Sequence, residues 1–331
     1  MTPQEEDKRY LLAFCIPTFN RAVILQQTLK DLFPLITGKS VKVIVVDNDS
    51  PDNTREVCDQ YPEITYIKNE TNIGLASNLF KSLEIAKYVA DYACLIGDSQ
   101  QIKGDLNKVF DLLYKRDLDV LVLGRMGTQN KFFETKLYSE PNEFLREVGC
   151  VMDMIASVVL STKAINKKLY ENSRWSAFAH MIMPLNYLST KQNPKAYFLN
   201  EVYTCQTPLF HLKLKTAWYS KTFEYFSKNW FFTITTLLNY DIESKLICIK
   251  KHDKFFPCFT PRKLLFLRGR KFVKLSDYKK YKEYMPFVTD TPLFLIRAIL
   301  RIPPLFCSIL LSMINHLNNF KYKLLKRFRK V

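Results

Sequence analysis

The sequence predicts an α/β fold, in which a Rossmann-like, mostly parallel sheet is flanked by helices and followed by a basic, mainly helical C-terminal region. Two patterns predict the sheet: short apolar runs alternate with segments of helical period, and polar turn-forming residues follow several of the runs. The third observation is the distribution of charge. Residues 250–331 hold 20 Lys and Arg against 4 Asp and Glu, whereas the first 249 residues hold 29 against 28. The near-neutral body and the basic tail are therefore expected to have different tasks.

The body begins with a strand, a helix and two further strands. Residues 11–16 (LLAFCI) form an apolar run that predicts a buried strand, and Pro17 is expected to end it. Apolar side chains at helical spacing predict a helix over residues 23–36. Residues 41–46 (VKVIVV) predict the second buried strand, and residues 64–67 predict a weaker third strand.

The alternation of helix and strand then continues. Apolar positions over residues 75–86 predict an amphipathic helix, and residues 92–96 predict a fourth strand. Residues 106–114 predict the next helix, and residues 120–124 (VLVLG) predict a fifth strand. Strands joined by helices in this way are usually parallel and connected by right-handed crossovers, so we expect their carboxyl ends to meet at one edge of the sheet.

Beyond residue 124 the pattern is less regular. Residues 155–160 (IASVVL) predict a further strand, and residues 177–188 predict a helix that Pro184 would kink. Residues 223–238 are rich in aromatic residues and Thr, and their period does not separate a helix from a strand.

Composition excludes several kinds of protein. The chain has eight Gly and no GxGxxG or Walker motif, which excludes a glycine-rich cradle for phosphates. Its eight cysteines follow no CxxC or zinc-finger spacing, so we expect reduced, mostly buried thiols in the cytoplasm. The N-terminus, MTPQEEDKRY, is polar and acidic and lacks the basic and apolar regions of a secretory signal.

Polar loops follow three of the predicted strands. They are PTFNR after the first strand, DNDSPDNT after the second and GDSQQ after the fourth. Each loop taken alone is explained by ordinary turn formation, since Asn, Asp and Gly are common in turns. Their recurrence at successive carboxyl ends, where open α/β sheets bind ligands, predicts a binding site at that edge.

The ordered motifs CIPTFNR, VIVVDNDSPDNT, NETNIGLASN and LIGDSQQI resemble the N-terminal half of family 2 inverting glycosyltransferases, which have the GT-A fold. The resemblance covers residues 8–125, and the fourth motif with the region after it is most similar to the bacterial surface-polysaccharide, abequosyltransferase-like branch. It implies three regions: a nucleotide-sugar-binding half over residues 1–125, an acceptor-binding half over residues 126–245, and the basic amphipathic region over residues 246–331.

The resemblance also implies a role for individual residues. The implied donor-binding set comprises Pro17, Thr18 and Asn20 at the nucleotide, Asp47 at the base with Asp49 nearby, Asn72, Gly74 and Asn78 near the sugar diphosphate, and Asp98 as the first carboxylate of the family's DxD motif. A helix N-terminus near the diphosphate would favour its negative charge. In the family the DxD carboxylates hold a divalent ion, and oxygen ligands suit Mg²⁺ or Mn²⁺.

This sequence departs from the DxD pattern at its second acidic position. Gln100 stands there, so the implied metal ligands are the Asp98 carboxylate and the neutral Gln100 amide. A neutral ligand in place of a charged one is expected to weaken metal binding. Three outcomes follow: weaker use of metal, stabilisation of the leaving group by Lys or Arg instead, or loss of activity.

An inverting transfer needs a general base for the acceptor hydroxyl. His180, in the motif WSAFAHM, is one candidate because the pKa of imidazole suits a base near neutral pH. Asp153 is the second candidate, with Glu134 as a further alternative. His180 is equally well explained as a hydrogen-bonded core histidine on a helix. His211, in PLFHLK, is a candidate for binding phosphate or metal.

The basic tail predicts contact with a membrane. Its longest uncharged apolar segment, residues 302–314, contains two prolines and is shorter than the roughly 20 residues needed to cross a bilayer. Lys and Arg beside Phe and Leu over residues 250–331 suit an anionic lipid surface. The alternative is a helical subdomain with one apolar face on the body and one solvated basic face. We expect a cytoplasmic protein held peripherally on the inner face of the cell membrane.

The sequence thus predicts a glycosyltransferase that moves a sugar from a nucleoside diphosphate sugar to a lipid-linked or surface-polysaccharide acceptor with inversion. The alternative is a catalytically impaired relative that binds a nucleotide sugar or scaffolds a polysaccharide-assembly complex. The reason for this alternative is that Gln100 replaces the second acid of the DxD motif. A nucleic-acid partner is not expected, because the body carries no nucleic-acid-binding motif.

Overall fold

The computed structural model describes residues 9–115, 117–128, 132–209 and 218–328. The chain forms two compact units, one made of residues 1–215 and 233–248 and the other of residues 216–232 and 249–331. All eight cysteines are buried, and none of them forms a disulfide in the described part of the chain, which confirms the prediction of buried thiols.

One mixed sheet forms the centre of the first unit. In the described residues its nine strands are β1 (Tyr10–Thr18), β2 (Val41–Asp47), β3 (Ile64–Lys68), β4 (Ala90–Leu95), β5 (Gln100–Lys103), β6 (Val120–Arg125), β7 (Lys136–Tyr138), β8 (Val158–Ser161) and β9 (Ala196–Gln206). Eight of them follow the order β3-β2-β1-β4-β8-β6-β9-β5, and β7 pairs with β9 outside this path.

The directions of the strands decide where the loops lie. β1 is parallel to β2 and β4, and β2 is parallel to β3. β8 is antiparallel to both β4 and β6, so β6 and its parallel partner β9 run in the same direction as β4. The carboxyl ends of β1, β2 and β4 therefore lie at one edge, which confirms the α/β prediction and the expected position of the three polar loops.

Helices cover both faces of the sheet. The helices of this part of the chain are α1 (Ala22–Ile36), α2 (Thr54–Asp59), α3 (Leu75–Val89), α4 (Asn107–Tyr114), α5 (Pro141–Val148), α6 (Lys167–Ser173) and α7 (Ala179–Thr190). Leu12 and Phe14 of β1 join the core that includes residues of α1, α2 and α4, whereas Ala13 and Cys15 join the core that includes residues of α3, α6 and α7. A strand buried on both faces is apolar throughout, and this is why the sequence predicts β1 so clearly.

Pro17 does not end β1, contrary to the prediction. The strand continues to Thr18, and Pro17 stands opposite Val46 of β2. Along β1 the backbone groups of successive residues point alternately towards β4 and towards β2. The Cys15 carbonyl accepts from the Ile96 N–H just after β4, and the Thr18 carbonyl accepts from the Asn48 N–H just after β2. The missing N–H of Pro17 is therefore on the β4 side, where the β1–β4 register has already ended, so the proline costs no ladder bond.

The second half of the sheet differs more from the prediction. The strand expected over residues 155–160 is β8, shifted to Val158–Ser161, and β5, β7 and β9 were not predicted. Gln100 and Gln101, expected in a loop, begin β5 and pair with Gln206 and Cys205 of β9. β5 (QQIK) is short and lacks an apolar run, so it is a strand only because β9 lies beside it.

Two helical questions left by the sequence are answered. α7 spans Ala179–Thr190 with Pro184 inside it, as expected. The aromatic segment that fitted either class is helical, with a π-helical stretch over Glu224–Asn229 followed by α8 (Trp230–Thr235).

The C-terminal region is helical, as predicted. The remaining helices are α9 (Ile242–Phe255), α10 (Pro261–Gly269), α11 (Leu275–Tyr281), α12 (Met285–Val288), α13 (Leu293–Arg301) and α14 (Pro304–Phe328). In the second unit the Trp230 indole is fully buried and donates to the Ile249 carbonyl at 3.1 Å. A Cβ added at Gly269 would lie 2.6 Å from Ser308 Oγ, so α10 and α14 approach closely there.

No single helix in the described residues is long and apolar enough to cross a membrane. The pair Leu293–Arg301 and Pro304–Leu317, bent by 114° at the break between them, meets the same criteria of length and composition when the two are taken together.

Candidate functional site

Asp47, the last residue of β2, is the centre of the first polar cluster at the carboxyl edge. Its carboxylate accepts hydrogen bonds from the Tyr66 hydroxyl at 2.7 Å, from the Ser50 N–H at 2.9 Å and from the Ser50 hydroxyl. Burial, together with the neighbouring carboxylate, raises the pKa of Tyr66, so the phenol stays protonated and donates. A carboxylate has about four acceptor positions, so Asp47 retains one for a ligand.

Ser50 also joins the loop after β1 to this cluster. The Asn20 N–H donates to Ser50 Oγ at 2.8 Å, and Asn20 adopts a positive φ of 51°. Asp49 has a positive φ of 67° and lies at the rim, where Lys68 Nζ is 3.3 Å from its carboxylate. The structure therefore brings Asn20 close to Asp47, whereas Asp49 points to a surface lysine.

A network of asparagine side chains lies beside Asp47. Asn48 Nδ2 donates to Asn72 Oδ1 at 2.7 Å, and Asn48 Oδ1 accepts from Asn69 Nδ2 at 2.9 Å and from the Ile73 N–H at 2.9 Å. Asn69 Nδ2 also donates to Asn78 Oδ1 at 2.8 Å. Asn48 and Asn69, which the sequence analysis missed, are thus the centre of this network; each follows a strand directly, and that position was the available signal.

This network fixes the beginning of α3. Asn78, on the first turns of α3, donates to the Val46 carbonyl of β2 at 2.9 Å, and Lys81 donates to Asn69 at 2.7 Å. The Gly74 N–H donates to Asn72 Oδ1 at 3.0 Å, and Gly74 has a φ of 82° that favours glycine. The resemblance implies a diphosphate near Asn72 and Gly74, and the structure places both residues just before α3. Asn78 is buried and uses its amide to hold α3 against β2.

Asp98 follows β4 and forms the second polar cluster. Its carboxylate is almost fully buried and is ion-paired with Arg21, whose Nη1 lies 3.0 Å from one oxygen and 3.3 Å from the other. Thr18 Oγ1 is 3.5 Å from the same carboxylate, and the Thr28 hydroxyl donates to the Asp98 main-chain carbonyl at 2.8 Å. Two predicted residues, Thr18 and Asp98, are therefore together, and Arg21 completes the cluster.

Gln100 is held by its own turn. Its side-chain Oε1 accepts from the Gly97 N–H at 2.7 Å, and its N–H donates to the Gly97 carbonyl at 3.0 Å. A Cβ at Gly97 would lie 2.9 Å from that same Oε1, so glycine leaves room for the bond.

The predicted metal ligands do not fit a divalent ion. The Asp98 carboxylate is paired with a guanidinium, and the Gln100 oxygen is committed to the backbone. Within the described residues, moreover, no group of three or more His, Cys, Asp or Glu side chains could hold a metal ion. In place of the predicted pair of ligands, Asp98 and Gln100, the structure has an ion pair between Asp98 and Arg21.

His180 and Asp153 form a separate cluster. His180 is buried on α7, and its Nε2 lies 2.9 Å from the Met152 carbonyl, so Nε2 carries the proton and donates. Burial lowers the pKa of His180, and the Met152 carbonyl and Asp153 only partly offset this, so the imidazole is neutral at pH 7. Asp153 is itself paired with Arg125 at the end of β6. These contacts match the core-histidine interpretation of His180.

The other candidates are less informative. Glu134 is exposed in the segment before β7. His211 lies outside the described residues.

Two buried oxygens close to the Asp98 loop were missed by the sequence analysis. Among the described residues, Gln206 Oε1 and Thr207 Oγ1 have no hydrogen-bond partner. Gln206 stands opposite Gln100 in the sheet, and the Thr207 N–H donates to the Ser99 carbonyl at 2.9 Å. Nothing in the sequence indicated them, because β9 itself was not predicted.

Comparison with known proteins agrees with this arrangement. Residues 13–174, which contain both carboxylate clusters, match the family model described as glycosyl transferase family 2. Residues 13–174 therefore form a domain of this family. In the family 2 domain the matched segment begins in β1 and ends just after α6, so it includes the three polar loops, the asparagine network and Asp153.

Two curated relatives of this chain were found by sequence. Abequosyltransferase RfbV of Salmonella typhimurium is 23% identical over 223 residues, which cover 61% of this chain and 63% of the relative. An uncharacterised protein of Methanocaldococcus jannaschii is 30% identical over 167 residues, which cover 44% of this chain and 71% of the relative. The chain thus spans under two thirds of the abequosyltransferase.

Solved structures show the same fold. S. aureus TarS aligns with a TM-score of 0.52 at 15% identity, covering 87% of this chain and 90% of that one. The mannosyltransferase PcManGT from Pyrobaculum calidifontis aligns with a TM-score of 0.52 at 12% identity, and the alignment covers 89% of this chain and 86% of the mannosyltransferase. The chain therefore has the predicted GT-A fold.

Proposed function

We propose that the protein transfers a sugar from a nucleoside diphosphate sugar to a lipid-linked or surface-polysaccharide acceptor, with inversion at the anomeric carbon. One observation carries the proposal: in a family 2 domain, the loops after β1, β2 and β4 are joined by hydrogen bonds around two buried carboxylates, Asp47 and Asp98. This edge is where α/β sheets bind nucleotides.

Similar proteins support the class of donor. A TarS structure similar to this chain, with a TM-score of 0.51, contains UDP. The similar mannosyltransferase was crystallised with GDP-Man and Mn²⁺. RfbV, an abequosyltransferase, supports a sugar donor and a role in polysaccharide assembly.

Asp47 gives the sharpest test of donor binding. Purified protein is expected to release nucleoside diphosphate from at least one member of a panel of UDP-, GDP- and CDP-sugars when an acceptor-containing membrane extract is present. Asp47→Asn is expected to weaken nucleotide binding about tenfold or more, because the amide loses one acceptor oxygen. Asp59→Asn, on the exposed end of α2, is the matched control and should bind normally. If the protein neither bound nor turned over any nucleotide sugar of the panel, the proposal would be contradicted.

The proposed transfer needs a general base, and we propose Asp153 for this role. Asp153 is better suited than His180, because a carboxylate can accept the acceptor proton, whereas the lowered pKa of His180 makes its imidazole a weak base. Asp153→Asn is expected to lower kcat by about 100-fold or more with little change in donor affinity. His180→Gln, which keeps a donor for Met152, should retain most of the activity. The reverse result would assign the base to His180.

A second function is favoured by the turn at Gln100. The Gln100 amide oxygen accepts from the Gly97 N–H, so nothing takes the place of the second acid of the DxD motif. The alternative is a relative that binds a nucleotide sugar without turnover or that scaffolds an assembly complex. Calorimetry and product analysis separate the two. Tight binding of a donor without transfer to any acceptor in the extract would favour the alternative.

The second unit supports a membrane partner. α14 exposes a stripe of apolar side chains with helical spacing, each 40–70% exposed: Leu305, Phe306, Ile309, Leu310, Met313 and Leu317. Arg297 and Arg301 of α13 are also exposed, and the basic sequence KYKLLKRFRK follows the stripe along the chain. We infer that this stripe enters the interface of an anionic membrane, with the basic residues at the headgroups. For this chain we place that surface at the cytoplasmic face of the cell membrane.

Vesicle sedimentation tests the membrane surface. Phe306→Glu with Met313→Glu is expected to lower binding to vesicles that contain anionic phosphatidylglycerol by about tenfold or more, because apolar area is lost and negative charge added. Leu137→Glu, which changes an exposed residue of the first unit, is the control and should bind as wild type does. Equal binding by both variants would contradict the assignment.

A further inference from the structure

Arg21 is held by Asp98 in a way that leaves most of its guanidinium available. Only Nη1 contacts the Asp98 carboxylate, and Nε and Nη2 have no hydrogen-bond partner among the described residues. The Arg21 side chain is 28% exposed, whereas that of Asp98 is 3% exposed. A guanidinium offers five N–H donors in a planar fork, so this pair presents a positioned cation with free donors at the carboxyl edge of the sheet.

The position of Arg21 makes it part of the donor-binding edge. It directly follows Asn20, whose N–H is bound to Ser50 of the Asp47 cluster, and it directly precedes α1. The next residue, Ala22, donates its N–H to Asp52 of the loop after β2 at 2.8 Å. Both flanking residues are therefore fixed to the loop after β2, and the side chain is fixed to the loop after β4.

From these contacts we propose that Arg21, and not a divalent ion, neutralises the diphosphate of the donor. The assignment rests on the proposed function and specifies how its leaving group is stabilised. A metal on Asp98 would lie beside a guanidinium on the same carboxylate, and the repulsion between the two cations disfavours it. Gln100 cannot compensate, because its oxygen accepts from Gly97.

The chemistry of the transfer suits an arginine. The acceptor oxygen forms a bond to the anomeric carbon while the bond from that carbon to the diphosphate oxygen breaks, and its electron pair leaves with the nucleoside diphosphate. The hydroxyl proton passes to a carboxylate base. The negative charge that develops on the diphosphate is met by a guanidinium, which stays protonated and binds phosphate oxygens through paired N–H donors. Asp98 is then a positioning residue, which orients Arg21.

Calorimetric titration with UDP, GDP and CDP tests the proposal. Wild-type protein is expected to bind one of them with the same affinity, within about threefold, in EDTA and in millimolar Mg²⁺ or Mn²⁺. Arg21→Gln should weaken that binding by about 10- to 100-fold, as expected for loss of hydrogen bonds between charged groups. The affinity for the corresponding nucleoside monophosphate, which lacks the second phosphate, should fall much less in Arg21→Gln than the affinity for the diphosphate. Arg21→Lys should be intermediate, because it keeps the charge without the planar fork.

Lys30→Gln is the matched control, since it removes one positive charge from the exposed face of α1 and should bind as wild type does. A tenfold or larger loss of wild-type affinity in EDTA would overturn the proposal, and so would normal diphosphate binding by Arg21→Gln. If Arg21→Gln does not fold, the EDTA comparison and Arg21→Lys still decide. Absence of binding by any nucleoside diphosphate, with or without metal, would instead overturn the proposed function itself.

Discussion

His180 is a buried neutral imidazole, which makes its contribution to stability depend on pH. Burial lowers the pKa of His180 in the folded protein below the ordinary value of 6.5. As the pH falls, the unfolded chain therefore takes up a proton before the folded protein does. Stability from this group is therefore complete above about pH 6.5 and is lost as the pH falls toward the folded-state pKa. We expect the Tm of the wild type to fall more steeply between about pH 7.5 and 5.5 than that of His180→Gln. Parallel slopes in scanning calorimetry would show that His180 is not the titrating group.

Thr207 carries a buried hydroxyl that has no hydrogen-bond partner among the residues the structure describes. It is 2% exposed, and its Oγ1 bonds to no atom in the described part of the chain. Thr207→Val keeps the shape and removes an unsatisfied polar atom, so the free energy of unfolding should rise by about 1 kcal/mol. Thr162→Val is the control, since the Thr162 hydroxyl donates to the Ala90 carbonyl at 3.0 Å and its loss should destabilise by a similar amount. A destabilised Thr207→Val in denaturant titration would mean that its hydroxyl is bound in solution.

The site was only partly predictable from single residues. Asp47 and Asp98 were found because carboxylates at the ends of apolar strands are a local pattern. Arg21 stood in the same motif as Asn20, but its role depends on Asp98, which is 77 residues away in the chain. Gln100 was predicted as a metal ligand from its position in the motif. Its bond to Gly97 could not be anticipated, since it depends on the side-chain conformation.

At the scale of secondary structure, the turn after β5 depends on close contact with β9. Gly104 has a φ of 98°, and a Cβ there would lie 2.3 Å from the Glu201 carbonyl oxygen. Gly104→Ala is therefore expected to cost about 3 kcal/mol, because it combines backbone strain with a clash against backbone. Gly38 has a similar φ of 76°, but a Cβ there would meet no described atom within 4 Å. Gly38→Ala should therefore lower the free energy of unfolding by about 1 kcal/mol only. Equal losses in urea denaturation would contradict the close approach.

Strands that are buried on both faces were predicted, and strands defined by their partners were not. β1, β2 and β4 are continuous apolar runs, because helices cover both faces of the sheet around them. β5 and β7 are short, and both pair with β9, which contains polar residues such as Asn200 and Glu201. Their pairing is a tertiary contact that leaves little periodicity in the sequence.

At the scale of the whole molecule, the basic end of the chain should act electrostatically. Residues 318–331 contain six Lys and Arg and no acidic residue. A protein that ends at Leu317 keeps the apolar stripe of α14 but loses these charges, each worth about 1 kcal/mol near an anionic leaflet. Its affinity for anionic vesicles should fall by about tenfold or more, and its dependence on salt should become shallower. Unchanged affinity at low salt would show that the apolar stripe alone holds the membrane.

The sequence by itself determined the α/β class, the edge at which the polar loops meet, the motifs of a family 2 transferase and the division between a neutral body and a basic tail. These features are encoded locally, in apolar runs, turn residues and charge. Only the tertiary structure decided that Asp98 pairs with Arg21, that asparagines hold the start of α3, and that His180 is a core residue. Such contacts join side chains that are distant in the chain, and packing alone brings them together.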